Sequence, residues 1–438
     1  MQILQFFLAI SLMVIIHEFG HYITARMFGV RVEKFYLFFN PFFTLFKYKS
    51  KKSNTEYGIG WLPLGGYVKL SGMIDESFDS KFTKSEPKPY EFRSKPAWQR
   101  LIIMSAGVIM NFITAIVVFA MLLFAKGEEY ISLQDAKYGM EFSSVAHNQG
   151  FVDGDILIQA DETQLVSLNE ETMRLILNAK EVFVLRGSDT VKISISKSFM
   201  EELIASKEGF ANFRAPFVVK DIIPVTPAEI AGLQSGDSLV SINGENLIFV
   251  SEFSSVLANN PLKETILGIY RNGEYKEITI TPDANGKIGV YLTPYYEFYN
   301  ITKKEYGFFE SFPAGIITAY KKITGYASDT KMLFTKAGAE SVGGFGSMIA
   351  LFPDYFDSVH FWYIVAYMSI VLAFMNILPI PALDGGHLLF VLYEMIFRRK
   401  PSDKFLEYAQ TAGFFLVFGL LILVNLNDIW KFVISKFF

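Results

Sequence analysis

His17 and His21 lie one helical turn apart in an apolar stretch, and Glu18 directly follows the first histidine. At 3.6 residues per turn, both imidazoles share one face of a helix and can bind a single Zn²⁺. Glu18 projects beside that face, so it can polarise a water at the metal instead of occupying a ligand position. The pentapeptide alone also occurs by chance in ordinary helices. In an apolar span, however, uncompensated histidines and carboxylates cost several kcal/mol, so the motif predicts zinc-dependent hydrolysis at membrane depth.

A third ligand is predicted in residues 376–387, which read Asn-Ile-Leu-Pro-Ile-Pro-Ala-Leu-Asp-Gly-Gly-His. The two prolines break a helix, and irregular backbone at membrane depth is tolerated only where it is buried in protein or lines a water-filled cavity. Asp384 would complete a His₂Asp site with one position left for water. The alternative is an interfacial turn in which Asp384 caps a helix. His387 is interpreted as a neighbour and not a ligand, and His147 and His360 as surface or interface residues.

The composition predicts a membrane protein that carries soluble domains. Hydrophobic residues make up 51% of the 438 residues and charged residues 19%, with a mean hydropathy of +0.30. This composition is richer in apolar residues than that of a soluble protein, yet more polar than that of a protein made only of membrane helices. The net charge of −4 gives no indication of a nucleic-acid partner. The absence of cysteine excludes disulfides, thiolate metal sites and a cysteine nucleophile.

Hydropathy divides the chain into membrane spans and one long polar insert. An apolar run of about 20 residues can cross a bilayer core, and four such runs occur at roughly residues 3–28, 101–124, 361–380 and 408–424. The first is interpreted as a retained helix, because residues 2–16 lack the basic start and the cleavage site of a signal peptide. The insert, residues 126–306, has the alternation and turn pairs of a soluble domain.

The insert contains a faint internal repeat. In residues 146–157 and 229–240, glycine, a bulky apolar residue, glycine and aspartate recur in register, which favours two tandem small domains. Both resemble PDZ domains, residues 227–244 most clearly; a turn-rich β domain of another type is the alternative. PDZ domains bind extended peptides at a sheet edge. Neither copy has a Gly-Leu-Gly-Phe loop, so a gate or size filter is as consistent with the sequence as peptide binding.

The motifs together resemble the site-2 protease family of intramembrane zinc metalloproteases, in particular bacterial members with tandem PDZ domains that cut an anti-sigma factor. Residues 17–21 match its first motif, residues 376–386 match its N-x-x-P-x-P-x-L-D-G-G motif, and residues 107–111 fit its G-x-x-x-N element. Residues 60–69 resemble its membrane-dipping β-hairpin. Residues 341–347 fit the family less closely. The resemblance covers essentially the whole chain.

The resemblance implies roles for further residues. Asn376 would donate to the oxyanion during hydrolysis or anchor an unwound substrate strand. Asn111 would be a second contributor to substrate binding, or would hydrogen-bond between helices where Gly107 allows close approach. Gly65 and Gly66 would lie in a hairpin that holds the substrate by β-addition. The implied substrates are single-span membrane proteins shortened by an earlier cut, including anti-sigma factors and remnant signal peptides.

The predicted fold is a multi-pass α-helical membrane protein, with four transmembrane helices and a membrane-associated β-hairpin, that carries two extracytoplasmic PDZ-like α/β domains. The first half of the protease domain, the two PDZ-like domains and the second half, which begins with an interfacial helix region, are predicted at residues 1–125, 126–205, 206–295 and 296–438.

Basic residues in short connections predict the orientation. Residues 47–52 follow the first span and residues 398–400 follow the third, so the positive-inside rule places both in the cytoplasm. The N-terminus and the insert then face outwards, into the periplasm of a bacterium with two membranes. The metal site lies towards the cytoplasmic side of the inner, or plasma, membrane.

Two other functions are consistent with parts of the sequence. One is a PDZ membrane scaffold or chaperone with a structural zinc, which binds peptide ligands. The other is a metal transporter. Glu18 argues against the scaffold, because a structural site needs no base beside its ligands, and the single compact ligand set argues against transport.

Overall fold

The structure is a computed structural model that describes residues 1–63, 65–73, 86–330, 335, 338 and 342–437, without the side chains of residues 403 and 431–437. Leu64 of the predicted hairpin and Ser341 of the loosely matching segment lie outside the described residues. The chain forms two compact units. One, the membrane unit, comprises Met1–Gly127 and Glu305–Phe438; the other, the insert, comprises Glu128–Lys304.

The helices and the strands of the described residues are numbered separately, each in chain order. The helices are α1 (Gln2–Met27), α2 (Ala97–Lys126), α3 (Ser144–Gln149), α4 (Glu170–Asn178), α5 (Phe199–Ser206), α6 (Pro227–Ile230), α7 (Val250–Ala258), α8 (Phe308–Asp329), α9 (Phe345–Ile349), α10 (Ser358–Ile377), α11 (Asp384–Phe397) and α12 (Asp403–Phe437). The strands are β1 (Val32–Leu37), β2 (Phe39–Lys49), β3 (Glu56–Leu62), β4 (Tyr67–Leu70), β5 (Glu128–Ile131), β6 (Met140–Phe142), β7 (Ile156–Ala160), β8 (Thr163–Gln164), β9 (Glu181–Arg186), β10 (Asp189–Ser194), β11 (Ala211–Phe213), β12 (Val219–Ile222), β13 (Ser238–Ile242), β14 (Glu245–Asn246), β15 (Thr265–Arg271), β16 (Glu274–Ile280), β17 (Val290–Leu292) and β18 (Ile301–Lys304).

Among the described residues, four helices of the membrane unit, α1, α2, α10 and α12, are long and apolar enough to cross a membrane. The four apolar runs predicted from hydropathy are therefore helical over most of their length. The third apolar run does not continue to residue 380 as one helix. Helix α10 ends at Ile377, and Leu378 adopts an extended ψ of 140° because a residue before proline is excluded from the helical region. The chain resumes helical structure at Asp384, as a separate helix α11.

Close packing of α1 against α2 depends on glycine. A Cβ at Gly20 would lie 2.8 Å from the backbone carbon of Ala106, and one at Gly107 would lie 2.6 Å from the His17 ring. Small residues at a helix crossing let the backbones approach, which is how helices associate in lipid. Helix α2 also contacts α8, α10 and α11, so it is the central helix of the membrane unit.

The membrane unit contains a four-stranded sheet with strand order β2-β3-β1-β4. Strand β1 pairs in parallel with β3 and antiparallel with β4. The prediction that residues 60–69 form a hairpin is therefore wrong, because β3 and β4 lie on opposite sides of β1. Gly66, which precedes β4, lies against β1, since a Cβ on it would meet the carbonyl of Tyr36 at 2.7 Å. Strands β3 and β4 each pair with β1, an earlier segment of the chain. The alternation of apolar and polar residues within 60–69 cannot identify that partner.

The insert is built from two similar halves. Each half has a four-stranded sheet of the same order, β10-β9-β7-β8 in the first and β16-β15-β13-β14 in the second. Each has its own core of buried apolar residues. The internal repeat seen in the sequence is thus present as a repeated strand arrangement.

The repeated aspartates have the same role in both halves. Asp155 is 1% exposed and accepts two hydrogen bonds from the Arg186 guanidinium, at 2.8 and 2.7 Å. Asp237 is fully buried and accepts two from Arg271, both at 2.7 Å. Each aspartate raises the pKa of its arginine through this hydrogen bonding. A bidentate pair of this kind compensates a buried carboxylate, so the repeat carries a structural ion pair.

The two ends of the insert pair with each other. Strand β5 is antiparallel to β18, and Glu128 lies opposite Lys304 in the register. The insert, Glu128–Lys304, falls within the residues predicted for it, 126–306. Tyr299, which follows the predicted end of the second PDZ-like domain at 295, is buried in the core of the first half. Its hydroxyl donates to the carbonyl of Arg214, and burial raises the pKa of Tyr299 to about 12.

Candidate active site

The three predicted ligands converge. The Nε2 atoms of His17 and His21 lie 3.1 and 3.2 Å from Oδ2 of Asp384, and 3.3 Å from each other. Both histidines are buried, at 7% and 6% exposure. Together with Asp384, the two histidines form a group, found among the described residues, whose ligand atoms can hold one metal ion.

The ligand spacing suits zinc. Zinc–nitrogen bonds of about 2.0–2.1 Å in a tetrahedral site separate the ligand atoms by about 3.3 Å. The three separations in this cluster, 3.1, 3.2 and 3.3 Å, correspond to one face of that tetrahedron. Two imidazoles and one carboxylate are also the ligand types of catalytic zinc sites, which keep one position open. The residues therefore fit Zn²⁺ with a free fourth position.

The broken helix brings Asp384 to the histidines. Ala382 adopts a left-handed φ of 81°, which reverses the chain after the prolines, and Asp384 is the first residue of α11. Gly385 and Gly386 follow, and a Cβ on Gly386 would lie 2.6 Å from the carbonyl of Ile380. Only glycine lets the unwound segment fold back over the first turn of α11, so these residues fix the position of the carboxylate.

Glu18 lies between the ligand cluster and the sheet. The backbone of Val68 in β4 lies beside its carboxylate. Gly66 packs against the same side chain, since a Cβ there would lie 3.5 Å from Cγ of Glu18. Gly65, with φ of 144°, packs over the Phe39 ring instead. Of the two glycines predicted to bind substrate, Gly66 is therefore the one beside the proposed base.

The two asparagines lie on opposite sides of His17. Nδ2 of Asn376, near the end of α10, is 3.5 Å from Nε2, the ring atom that faces Asp384. Nδ2 of Asn111 is 3.2 Å from Nδ1, the other ring nitrogen. The structure thus brings Asn376 to the metal side of the ring and Asn111 to its far side.

The remaining histidines lie outside the cluster. Nε2 of His387 is 3.2 Å from the amide of Gln410 on α12. His147 contacts Asp153, and Nε2 of His360 is 2.7 Å from the carbonyl of Leu351. These positions agree with their interpretation as residues that do not bind the metal.

Several contacts at the site were not inferred from the sequence. Nδ1 of His21 donates to the carbonyl of Ile103 at 2.8 Å, which leaves Nε2 free for a metal. Gly107 supplies the space that the two imidazoles occupy. Arg100 forms a 2.6 Å ion pair with Glu394 that links α2 to α11, the helix that begins with Asp384. A backbone carbonyl has no sequence signature, but Gly107 could have been found from its position in the G-x-x-x-N element.

Comparison of the sequence with known proteins identifies the family of the chain. The model of peptidase family M50 matches residues 5–420. The chain belongs to peptidase family M50, and the predicted resemblance to intramembrane metalloproteases is confirmed.

Curated bacterial relatives match along nearly their full length. The regulator of sigma-E protease RseP of Escherichia coli is 28% identical, with 97% of each chain covered. A Clostridium perfringens protein with the provisional name of zinc metalloprotease is 27% identical, with 98% of each chain covered. A Vibrio cholerae protein with the same provisional description is 27% identical over 97% of each chain. These names agree with the prediction of a metalloprotease and of zinc as its metal.

Proposed function

We propose that the chain is an intramembrane zinc endopeptidase that hydrolyses peptide bonds within or near the transmembrane segment of single-span proteins. The observation that carries this proposal is the meeting of His17 and His21, on the apolar helix α1, with Asp384, the first residue of α11. Glu18 lies beside these three residues. The names of the relatives as zinc metalloproteases and as a sigma-E regulator support it.

His17, His21 and Asp384 hold the zinc ion in this proposal. When bound, zinc lowers the pKa of a water ligand and polarises a peptide carbonyl. Glu18 takes the proton from the attacking water and later gives it to the leaving amine. The amide of Asn376, on the metal side of His17, donates to the carbonyl oxygen as negative charge develops there.

A helical substrate must unwind before its carbonyls are accessible, and strand β4 offers a place to hold it. Strand β4 is at one edge of the sheet, and Val68 and Gly66, which precedes the strand, lie beside Glu18, so β4 is next to the proposed base. An extended peptide added to an edge strand is held by main-chain hydrogen bonds. Addition at β4 would bring a scissile peptide bond next to Glu18.

The two halves of the insert are proposed to be PDZ-like domains on the extracytoplasmic side, as the repeat and the basic residues at 47–52 and 398–400 indicate. They act as a size filter that obstructs substrates with bulky outer domains.

Anti-sigma factors and remnant signal peptides, once shortened, are the proposed substrates in the inner membrane. Deletion of Glu128–Lys304 should then permit cleavage of full-length substrate. Failure of a folded, zinc-loaded deletion variant on shortened substrate would favour recruitment by the insert instead.

The decisive experiment compares wild type with Glu18→Gln, and uses Glu274→Gln in the insert as a matched control. Each purified protein is incubated in detergent with a tagged single-span protein that has a short outer segment, and its zinc content is measured. Glu18→Gln should keep zinc and lose cleavage, since proton transfer is removed without loss of a ligand. A zinc-loaded wild type that cleaves nothing would favour a scaffold with structural zinc. Normal turnover by Glu18→Gln would exclude this residue as the base.

A further inference from the structure

Asn111 is a fully buried amide at the junction of three helices. It lies on α2, its Nδ2 is 3.2 Å from Nδ1 of His17 on α1, and it is 0% exposed. The Ser369 hydroxyl of α10 donates to its backbone carbonyl at 3.0 Å. Oδ1 of Asn111 has no hydrogen-bond partner among the described residues. A buried amide with one unsatisfied side is uncommon, so its orientation needs a physical reason.

Hydrogen-bond accounting at the two histidines favours the reverse orientation of the amide, with Oδ1 towards His17. In both, Nε2 faces Asp384, so Nε2 is the atom available to a metal. A neutral imidazole that binds through Nε2 carries its proton on Nδ1 and needs an acceptor there. For His21 the acceptor is the carbonyl of Ile103, 2.8 Å away. For His17 the group in the equivalent place is the Asn111 amide, and a half-turn of that amide brings Oδ1 to Nδ1.

We propose that Asn111 is a positioning residue for the metal site: its amide oxygen accepts the Nδ1–H of His17 and thereby fixes the tautomer and the orientation of that ring. Partners of this kind on metal-bound histidines raise metal affinity about 10–100-fold. The inference rests on the proposed zinc site and not on the proposed substrate.

The geometry favours this role over a contact with substrate. Nδ1 and Nε2 lie on opposite edges of an imidazole ring, so Asn111 and Asn376 flank His17 from opposite sides. A reacting carbonyl must approach on the Nε2 side, where the metal would sit, and Asn376 is already there. Asn111 is also closed off from any ligand by complete burial.

The test uses three variants and two measurements that need no substrate. Asn111→Leu removes the acceptor at similar volume, Asn111→Asp keeps an acceptor and removes the donor, and Thr114→Val is a matched polar-to-apolar change on α2 whose hydroxyl bonds only its own helix. The zinc dissociation constant is measured by competition with a chromogenic chelator. The thermal midpoint of the apoprotein is measured in the same detergent.

Asn111→Leu should weaken zinc binding about 10–100-fold. Asn111→Asp should retain most of the affinity, and Thr114→Val should leave it unchanged. Equal weakening by Asn111→Leu and Asn111→Asp would overturn the acceptor role. A lower apoprotein midpoint with normal zinc affinity in Asn111→Leu would also overturn the proposal and leave only a packing role.

Cleavage kinetics then separate positioning from substrate contact. Saturating zinc should restore kcat in Asn111→Leu towards wild type, with KM unchanged, because only the metal site is affected. Normal zinc affinity with a persistent loss of kcat would instead assign Asn111 to the substrate and overturn the inference. If wild type binds zinc but cleaves nothing, the proposed function fails, while the affinity measurements still decide the role of Asn111.

Discussion

Gly107 is the residue whose replacement by alanine most directly perturbs the proposed metal site. A Cβ built on Gly107 would meet Nε2 of His21, and would lie 2.6 Å from Cε1 and 2.8 Å from Nε2 of His17. Ordinary contacts of this kind begin at about 3.5 Å, so the rings or α1 itself must retreat by about 1 Å. The methyl group would press against the two atoms that are proposed to bind zinc.

The displacement is large on the scale of metal coordination. Ligand distances in a working site hold to about 0.2 Å, so a movement of about 1 Å removes at least one histidine from the coordination shell. Loss of a ligand should exceed the 10–100-fold effect of losing a ligand's hydrogen-bond partner, so zinc affinity should fall by about 100-fold or more. Cleavage should fall with it.

The assay is zinc competition with a chromogenic chelator, followed by cleavage at saturating zinc. Gly419→Ala is the matched control, because Gly419 lies in the membrane helix α12 and a Cβ there meets nothing within 4 Å. The control should bind zinc and cleave as wild type does. Normal zinc affinity in Gly107→Ala would refute the reasoning, since the helix crossing could then relax without cost to the ligands.

Three further predictions concern the stability of the insert and the turn that precedes Asp384. Arg271→Ala should destabilise the insert by about 3–5 kcal/mol in denaturant unfolding because it leaves Asp237 buried without its partner, whereas Lys192→Ala, at an exposed ion pair, should cost less than about 1 kcal/mol. Ala382→Gly should preserve zinc binding, and Ala382→Val should reduce it, because a φ of 81° costs a β-branched residue about 1–3 kcal/mol; equal behaviour would show that this turn does not set the ligand position. The raised pKa of Tyr299, about 12, means that its contribution to stability is complete below about pH 10 and is lost as the pH rises to 12; alkaline unfolding of the Tyr299→Phe variant should show a smaller pH dependence in this range.

The site was largely predictable from the sequence because its chemistry is carried by side chains in short motifs. His17, Glu18 and Asp384 were identified from residue type and spacing, and the structure brings them together. The four spans were predictable because hydropathy reports the solvent of a segment, which is a local property. The repeat was visible because glycine and aspartate have fixed places in a turn.

What the sequence did not reveal depends on non-local partners. Alternation shows that residues 60–69 contain strands but not that β1 separates them. The partners Arg186 and Arg271 lie 31 and 34 residues from their aspartates. Close helix approach at Gly107 was expected from the sequence, but the contact of this position with the His17 and His21 rings is defined only by the packed structure.

The pairing of β5 with β18 has a consequence for how such proteins diversify. Because the first and last strands of the insert pair with each other, the chain leaves and re-enters the membrane unit through adjacent strands. The entropy cost of closing this long loop is offset by contacts within the insert itself. For the membrane helices, the insert is then equivalent to a short connection, whatever the number of residues in it. Modules of other sizes could therefore replace the insert at this junction without redesign of the membrane helices.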